Sequence, residues 1–181
     1  MRKRLILMLM LTLLVVLPMV FGCAGWDPNR EQKEDTAVQV TIASFKKADS
    51  TMQVYFDTAY GYVVFPSVGK GGYFVGGGYG VGRVYEQGNF IGNSRIINLT
   101  VGAQIGGQSY SEIIFFKDSA SLNDFKGGNF EFTAQASAVF VNEGASKDHH
   151  YDKGVAVFTM PKAGAMAEAT IGGQKFIFEP K

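Results

Sequence analysis

The sequence predicts an α+β domain: a mainly antiparallel, strongly curled, barrel-like β-sheet with short N-terminal helices and one short helix between strands. Three observations predict it. Residues alternate in character with a period of two, as where Ile97, Leu99, Val101, Ala103 and Ile105 interleave with Asn98, Thr100, Gly102, Gln104 and Gly106. In the densest glycine run, Gly76, Gly78, Gly80 and Gly82 fall on one face of such a strand and leave it bare, so that another backbone can come close. Small residues recur on one face of later segments, including Ala134, Ala136 and Ala138, and small side chains inside let a sheet curl tightly.

The chain of 181 residues is 46% hydrophobic and 18% charged, in the range of a globular domain. It opens with Arg2-Lys3-Arg4 and an apolar run from Leu5 to Phe21, the pattern of a secretory signal peptide. The run ends at Val20-Phe21-Gly22-Cys23, which resembles the bacterial lipobox, where the cysteine is lipidated and becomes the new N-terminus. The expected organisation is a signal peptide over 1–22, a flexible tether over 23–35 and one domain over 36–181. Buried acyl chains contribute about 0.8 kcal/mol per methylene, so two or more on Cys23 hold a protein to a membrane. Ala24 and Gly25, not an aspartate, directly follow Cys23. By resemblance to enterobacterial sorting rules, this places the protein in the cell envelope, on the periplasmic face of the outer membrane. As the only cysteine, Cys23 allows no intrachain disulfide. Three of the 17 basic residues lie in the signal, which leaves 14 against 16 acidic ones and argues against nucleic-acid binding.

The elements are expected in this order. The tether is polar, from Gly25 to Asp35. Val38, Ile42, Phe45 and Ala48 then have near-helical spacing. Ser50 and Gln53, at capping-box spacing, start a second helix that buries Met52, Tyr55, Phe56 and Ala59. Both helices are expected to pack on the sheet rather than to touch a membrane. A first strand, Tyr62 to Phe65, is stopped by Pro66. The glycine strand runs to Tyr85 and turns at Gln87-Gly88-Asn89. Ser111 to Phe116 is apolar enough for burial on both faces. Asp118 or Ser119 caps a short helix with Leu122 and Phe125 inward, closed by Gly127-Gly128. A long strand covers Phe130 to Val141, a polar loop Asn142 to Lys153, and further strands follow, with a hairpin at Gly172-Gly173. The segments Gly61–Phe65 with Lys70-Gly71-Gly72 and Gly154–Phe158 with Lys162-Ala163-Gly164 resemble each other, as do Ala103–Gln108 and Ala169–Gln174. They suggest hairpins placed equivalently in two halves.

Several chemistries fail on spacing. Lys70 is followed by Gly71, so a phosphate loop would lack its hydroxyl, and the position three after Gly80 is Arg83, which breaks the dinucleotide fingerprint. His149 and His150, with Asp148 and Asp152, lack a third histidine or a cysteine to complete a metal site. Ser109 has Ser111 where a nucleophile elbow needs glycine. Glu112 and Glu131 stand isolated in strands, facing solvent or paired. No enzyme, metal or cofactor is expected.

The strings Tyr60–Gly72 and Ala103–Ile114, with the closing Gly172–Phe176, resemble the bacterial branch of the SYLF-domain family over roughly Ala37 to Lys181. The resemblance implies lipid binding. It does not carry over the actin binding of some eukaryotic relatives, because a periplasmic protein meets no actin. Candidate headgroup ligands are Lys70 in a glycine-flanked turn, Lys162 in the equivalent turn, and Arg83, whose planar fork suits phosphate. Structural readings stand beside them: a solvated turn lysine for Lys70, and a pair with Glu86 or Glu112 for Arg83. Tyr73 and Tyr79 are candidates to line a lipid groove. The expected function is a non-catalytic, lipid-anchored envelope protein that binds phospholipid membranes. The alternative is a structural module that binds an envelope protein partner and meets lipid only through Cys23.

Overall fold

The computed structural model describes residues 29–128, 131–132, 138–147 and 149–181. The expected signal peptide, Cys23 and the first part of the tether lie outside these residues. The elements are α1 (Arg30–Ala48), a 3₁₀ turn (Ser50–Met52), α2 (Gln53–Thr58), β1 (Gly61–Glu86), β2 (Asn89–Phe116), α3 (Ser119–Lys126), β3 (Glu131–Phe132), β4 (Ala138–Phe140) and β5 (Val155–Pro180). By its contacts the chain divides into Met1–Glu34 and Asp35–Lys181. In the first unit, the opening of α1 carries an Arg30–Glu34 pair at 2.7 Å. Helix thus reaches into the segment expected as tether.

The strand order is β1-β2-β5-β3, with β4 also on β5. Three strands of 26, 28 and 26 residues make nearly the whole sheet. β2 is paired on both sides, with β1 and with β5, both antiparallel. Gln87 and Gly88, at φ 49° and 79°, form the tight turn between β1 and β2, as their sequence requires. Pro66 does not end a strand. It sits in an irregularity between Phe65 and Val68, where β1 carries one extra residue and the register shifts, so the ladder can lose a donor and the strand still continue. Nor is Gly172-Gly173 a hairpin turn: the two residues stay in the ladder opposite Thr100 and Leu99. The similar segments are therefore not two hairpins. The first pair leads into the two strands flanking β2, with Gly61 and Val155 both opposite Phe116, and the second pair lies in β2 and β5, with Ala103 opposite Ala169.

The barrel-like sheet expected from the small residues does not form. Among the described residues no pairing joins β1 to β3 or β4, and the sheet is neither closed nor strongly curled. Its change of direction is concentrated in one bend. Phe74 has φ 60°, and the partners of Tyr73 and Val75 are Ile105 and Val101, so β2 spends two extra residues there. Beyond the bend the second leg of β1 lies against the first. A Cβ added at Gly82 would come within 2.6 Å of the Val64 carbonyl oxygen and of the Phe65 ring, and one at Gly80 within 2.9 Å of the Ser67 carbonyl oxygen. The bare glycine face is thus where a backbone approaches, and that backbone belongs to the same strand.

Two apolar clusters hold this arrangement. Between the legs lie Val63, Phe65, Val68, Val84, Ile96, Ile114, Phe116 and Phe176, closed at one end by Leu122 and Phe125 of α3. Asp118 caps α3 in a capping box with Ser121. On the outer face of the first legs, Val38, Ile42 and Phe45 of α1 and Met52 and Tyr55 pack on Val64, Ile113, Phe115 and Phe158. The helices therefore spend their apolar faces on the sheet, and residues 113–116 are buried on both sides as their composition implies. Each large side chain so buried contributes about 1.5–3 kcal/mol. The turn before α2 is capped by Asp49, whose side chain accepts from the Thr51 N–H, while the Gln53 side chain reaches Asp57 instead of a cap. Of the long strand expected over Phe130 to Val141, the described parts are β3, antiparallel to β5, and β4, parallel to it. The remainder lies outside the described residues.

Candidate functional site

The second leg of β1 (residues 75–86) and the part of β2 paired with it (residues 89–101), here called its second leg, have faces inverted toward the bend relative to a water-soluble sheet. Tyr79 pairs with Ile97, Gly77 with Leu99 and Val75 with Val101, and all of these side chains lie on the outer face. Leu99 is 61% exposed and Val101 58%. Around the bend Tyr73, Phe74 and Ile105 are equally open. The inner face carries Asn98, Thr100 and Gln104, all buried, opposite the glycines. No residue from Gly71 to Gly82, or from Ile96 to Ser111, is charged. Monomers seldom leave a contiguous apolar surface uncovered, and where they do it marks a binding surface.

Period-two alternation does not say which face is inside. The glycines decide it. Gly76, Gly78, Gly80 and Gly82 are paired with Thr100, Asn98, Ile96 and Ser94, and only the glycine face allows the two legs to approach. Those partners must then point inward, and Tyr79, Ile97 and Leu99 are left outside. The pairing register, absent from the sequence, was the missing piece.

The interior toward the bend is polar. Asn98 donates to the Tyr110 hydroxyl at 2.7 Å. Gln174 donates to the same hydroxyl at 3.4 Å and to Glu112 at 3.2 Å. Thr100 donates to Gln104 at 2.9 Å. Glu112 is fully buried, contrary to the expectation that it faces solvent or pairs with a cation. Desolvation pushes its carboxyl up to about 7, against a smaller lowering by the Gln174 amide. A perturbed carboxyl among convergent polar groups is a common mark of chemistry. Here it has 0% exposure and stands inside a packed sheet.

The expected headgroup ligands are not brought together. Lys70 lies within β1 opposite Gln108, not in a turn, and is buried. Arg83 is buried further along the strand, ion-paired with Asp35 of α1 and stacked over Phe90 at 3.8 Å. Its partner is thus an acid of the helix, not Glu86 or Glu112. Lys162 is exposed, at the irregularity in β5 between Pro161 and Ala163, and donates to the Pro66 carbonyl at 3.1 Å. Tyr73 and Tyr79 both stand on the exposed outer face rather than in a groove. Tyr73 meets Phe74 edge-on, with ring centroids 4.5 Å apart. Cys23 and Asp148 lie outside the described residues. His149 packs against Phe158, and among the described residues no three metal-ligating side chains converge.

Residues 97–181 match the family model described as Ysc84, Las17-binding protein actin regulator. That stretch begins in β2 and runs through β5, so it takes in the outer-face residues Ile97, Leu99, Val101 and Ile105 but not β1. The chain is also 28% identical over 162 residues to beta cell expansion factor A of Aeromonas veronii. The alignment covers 82% of this chain and 60% of that protein. Residues 97–181 are thus similar to the SYLF (Ysc84) domain.

Proposed function

We propose that this protein is a non-catalytic phospholipid-binding lipoprotein of the bacterial envelope, held by acylated Cys23 and applied to the membrane through the outer face of the second legs. The uncovered, charge-free apolar face of β1 and β2 carries the reading: hydrocarbon satisfies such a surface and water does not. The likeness of residues 97–181 to the SYLF family model supports it, because lipid binding is what that resemblance implies. Lys70 and Arg83 do not supply the site, since each is buried. Fully buried Glu112 offers no substrate a way in, which favours binding over catalysis.

Vesicle flotation of the chain lacking residues 1–22, with Cys23→Ser to remove the acyl anchor, tests the proposal. The chain should float with phosphatidylcholine vesicles. Absence of flotation with any lipid composition would overturn it. The description of the matching family as an actin regulator favours a second reading, in which the domain binds a protein and lipid enters only through Cys23. A defined crosslinked partner in intact cells, together with negative flotation, selects that reading.

A further inference from the structure

Resting on the phospholipid reading, we propose that the bend Tyr73–Phe74–Val75 and the outer face behind it enter the hydrocarbon of one leaflet, so that the protein recognises acyl chains and is indifferent to the headgroup. Three observations converge on this. Phe74 is held at the apex with φ 60°, a conformation rare for a bulky side chain, and its ring is 59% exposed. Strained backbone that presents an aromatic ring to solvent is a pattern of functional positions. Toward the bend, from Ile97 to Gln104, β2 is polar inside (Asn98, Thr100, Gln104) and apolar outside (Ile97, Leu99, Val101), as in strands that meet lipid. The central strand β2 has its backbone paired on both sides, by β1 and β5, so its outer face presents side chains and no unsatisfied ladder.

The dimensions agree with one leaflet. From Val101 to Ile97 the outer face of β2 is apolar, a rise of about 13 Å at ~3.3 Å per residue. Half of a bilayer core is about 15 Å. The next outward residue is Arg95, ion-paired with Glu179, and Lys175 lies opposite Ile97. These charges mark the level of the headgroups. Tyr79 shares that level, where a ring with one polar end is favoured. A protein partner of ordinary composition would bring a polar rim with hydrogen-bonding groups. The face offers no charge from Ile96 to Ser111 to meet one.

The test uses the chain lacking residues 1–22 with Cys23→Ser, Trp26→Phe and Phe74→Trp, so that the only tryptophan is at the apex. It is mixed with phosphatidylcholine vesicles brominated near the carbonyl or near the middle of the acyl chain. The expected result is a blue-shifted emission quenched by both lipids. Affinity should agree within about twofold between neutral vesicles and vesicles with phosphatidylglycerol, and salt should not weaken it. Leu99→Asp should abolish flotation while the thermal midpoint stays in place. Val101→Trp serves as a second reporter if Phe74→Trp alone prevents binding. Flotation without quenching at either reporter overturns insertion and leaves the lipid reading standing. Absence of flotation overturns both. A soluble dimer that Leu99→Asp dissociates, with no quenching, assigns the face to a second copy and overturns the proposal.

Discussion

Asp49 grips Ser146 across a separation of 97 residues, with one carboxylate oxygen accepting both the Ser146 N–H and its hydroxyl at 2.7 Å. The other oxygen accepts from the Thr51 N–H and hydroxyl. One buried carboxylate thereby caps the turn before α2 and pins the loop between β4 and β5. Burial alone would raise this carboxyl. The hydrogen bonds from Thr51 and Ser146 outweigh that and hold it well below the usual carboxylate range.

Asp49→Ala is expected to cost roughly 3 kcal/mol, because it strands buried donors at Ser146 and Thr51. Urea unfolding checks the magnitude. Hydrogen exchange should locate the loss at residues 142–147 and at the turn before α2. A change below about 0.5 kcal/mol would show that the grip contributes little.

Gly82→Ala should destabilise by several kcal/mol, since its Cβ would meet the Val64 carbonyl oxygen and the Phe65 ring at 2.6 Å. Gly69→Ala is the matched control. A Cβ there meets nothing within 4 Å, and its backbone is not left-handed, so the change should lie within about 0.5 kcal/mol of neutral. Equal thermal midpoints for the two variants would show that the legs do not touch at Gly82.

Glu112→Gln should stabilise the protein above neutral pH. The folded carboxyl titrates near 7 rather than 4.5, so the folded state binds the proton more tightly than the unfolded chain does. Stability from this group is complete below about pH 4.5 and is lost as pH rises to about 7, by roughly 3 kcal/mol in all. Denaturant unfolding at a series of pH values should show that slope in the native sequence. The slope should be absent in the glutamine variant, in which no proton remains to be lost.

Lys162→Glu should leave flotation with neutral vesicles unchanged, because Lys162 is not on the apolar face and its amine rests on the Pro66 carbonyl. A tenfold loss of lipid binding would restore Lys162 as a headgroup ligand.

Much of the fold was legible in the residues, and the limits of that reading have physical causes. The helical spacing of Val38, Ile42 and Phe45, the tight turn at Gln87-Gly88, the doubly buried strand to Phe116 and the cap at Asp118 are local signals, and local geometry honours them. Pro66 and Gly172-Gly173 were read as interruptions because proline and glycine usually break strands. Here a bulge absorbs Pro66 and pairing resumes at Val68, while β2 holds Gly172-Gly173 in register. The inverted outer face at Leu99 and the burial of Glu112 depend on which leg faces which. That relation joins residues far apart in sequence and leaves no mark on the alternation itself. The basic residues misled for a related reason. A lysine or arginine beside glycine looks solvent-bound in sequence, yet Arg83 is taken by Asp35 from a helix that the glycine run does not foretell.

The pairing of β2 with β5 sets the order of events when the chain folds. β1 and β2 can zip from the turn at Gln87-Gly88. β5 must return across a long connection to pair along almost the same length, from Phe116 with Val155 to Gly92 with Pro180. Such non-local closure is slow, on the order of milliseconds to seconds. Throughout that interval β2 offers a long unpaired edge beside the apolar residues at the bend. The hazardous moment for this protein is therefore the wait for its last strand, when a neighbouring chain could supply the missing ladder first.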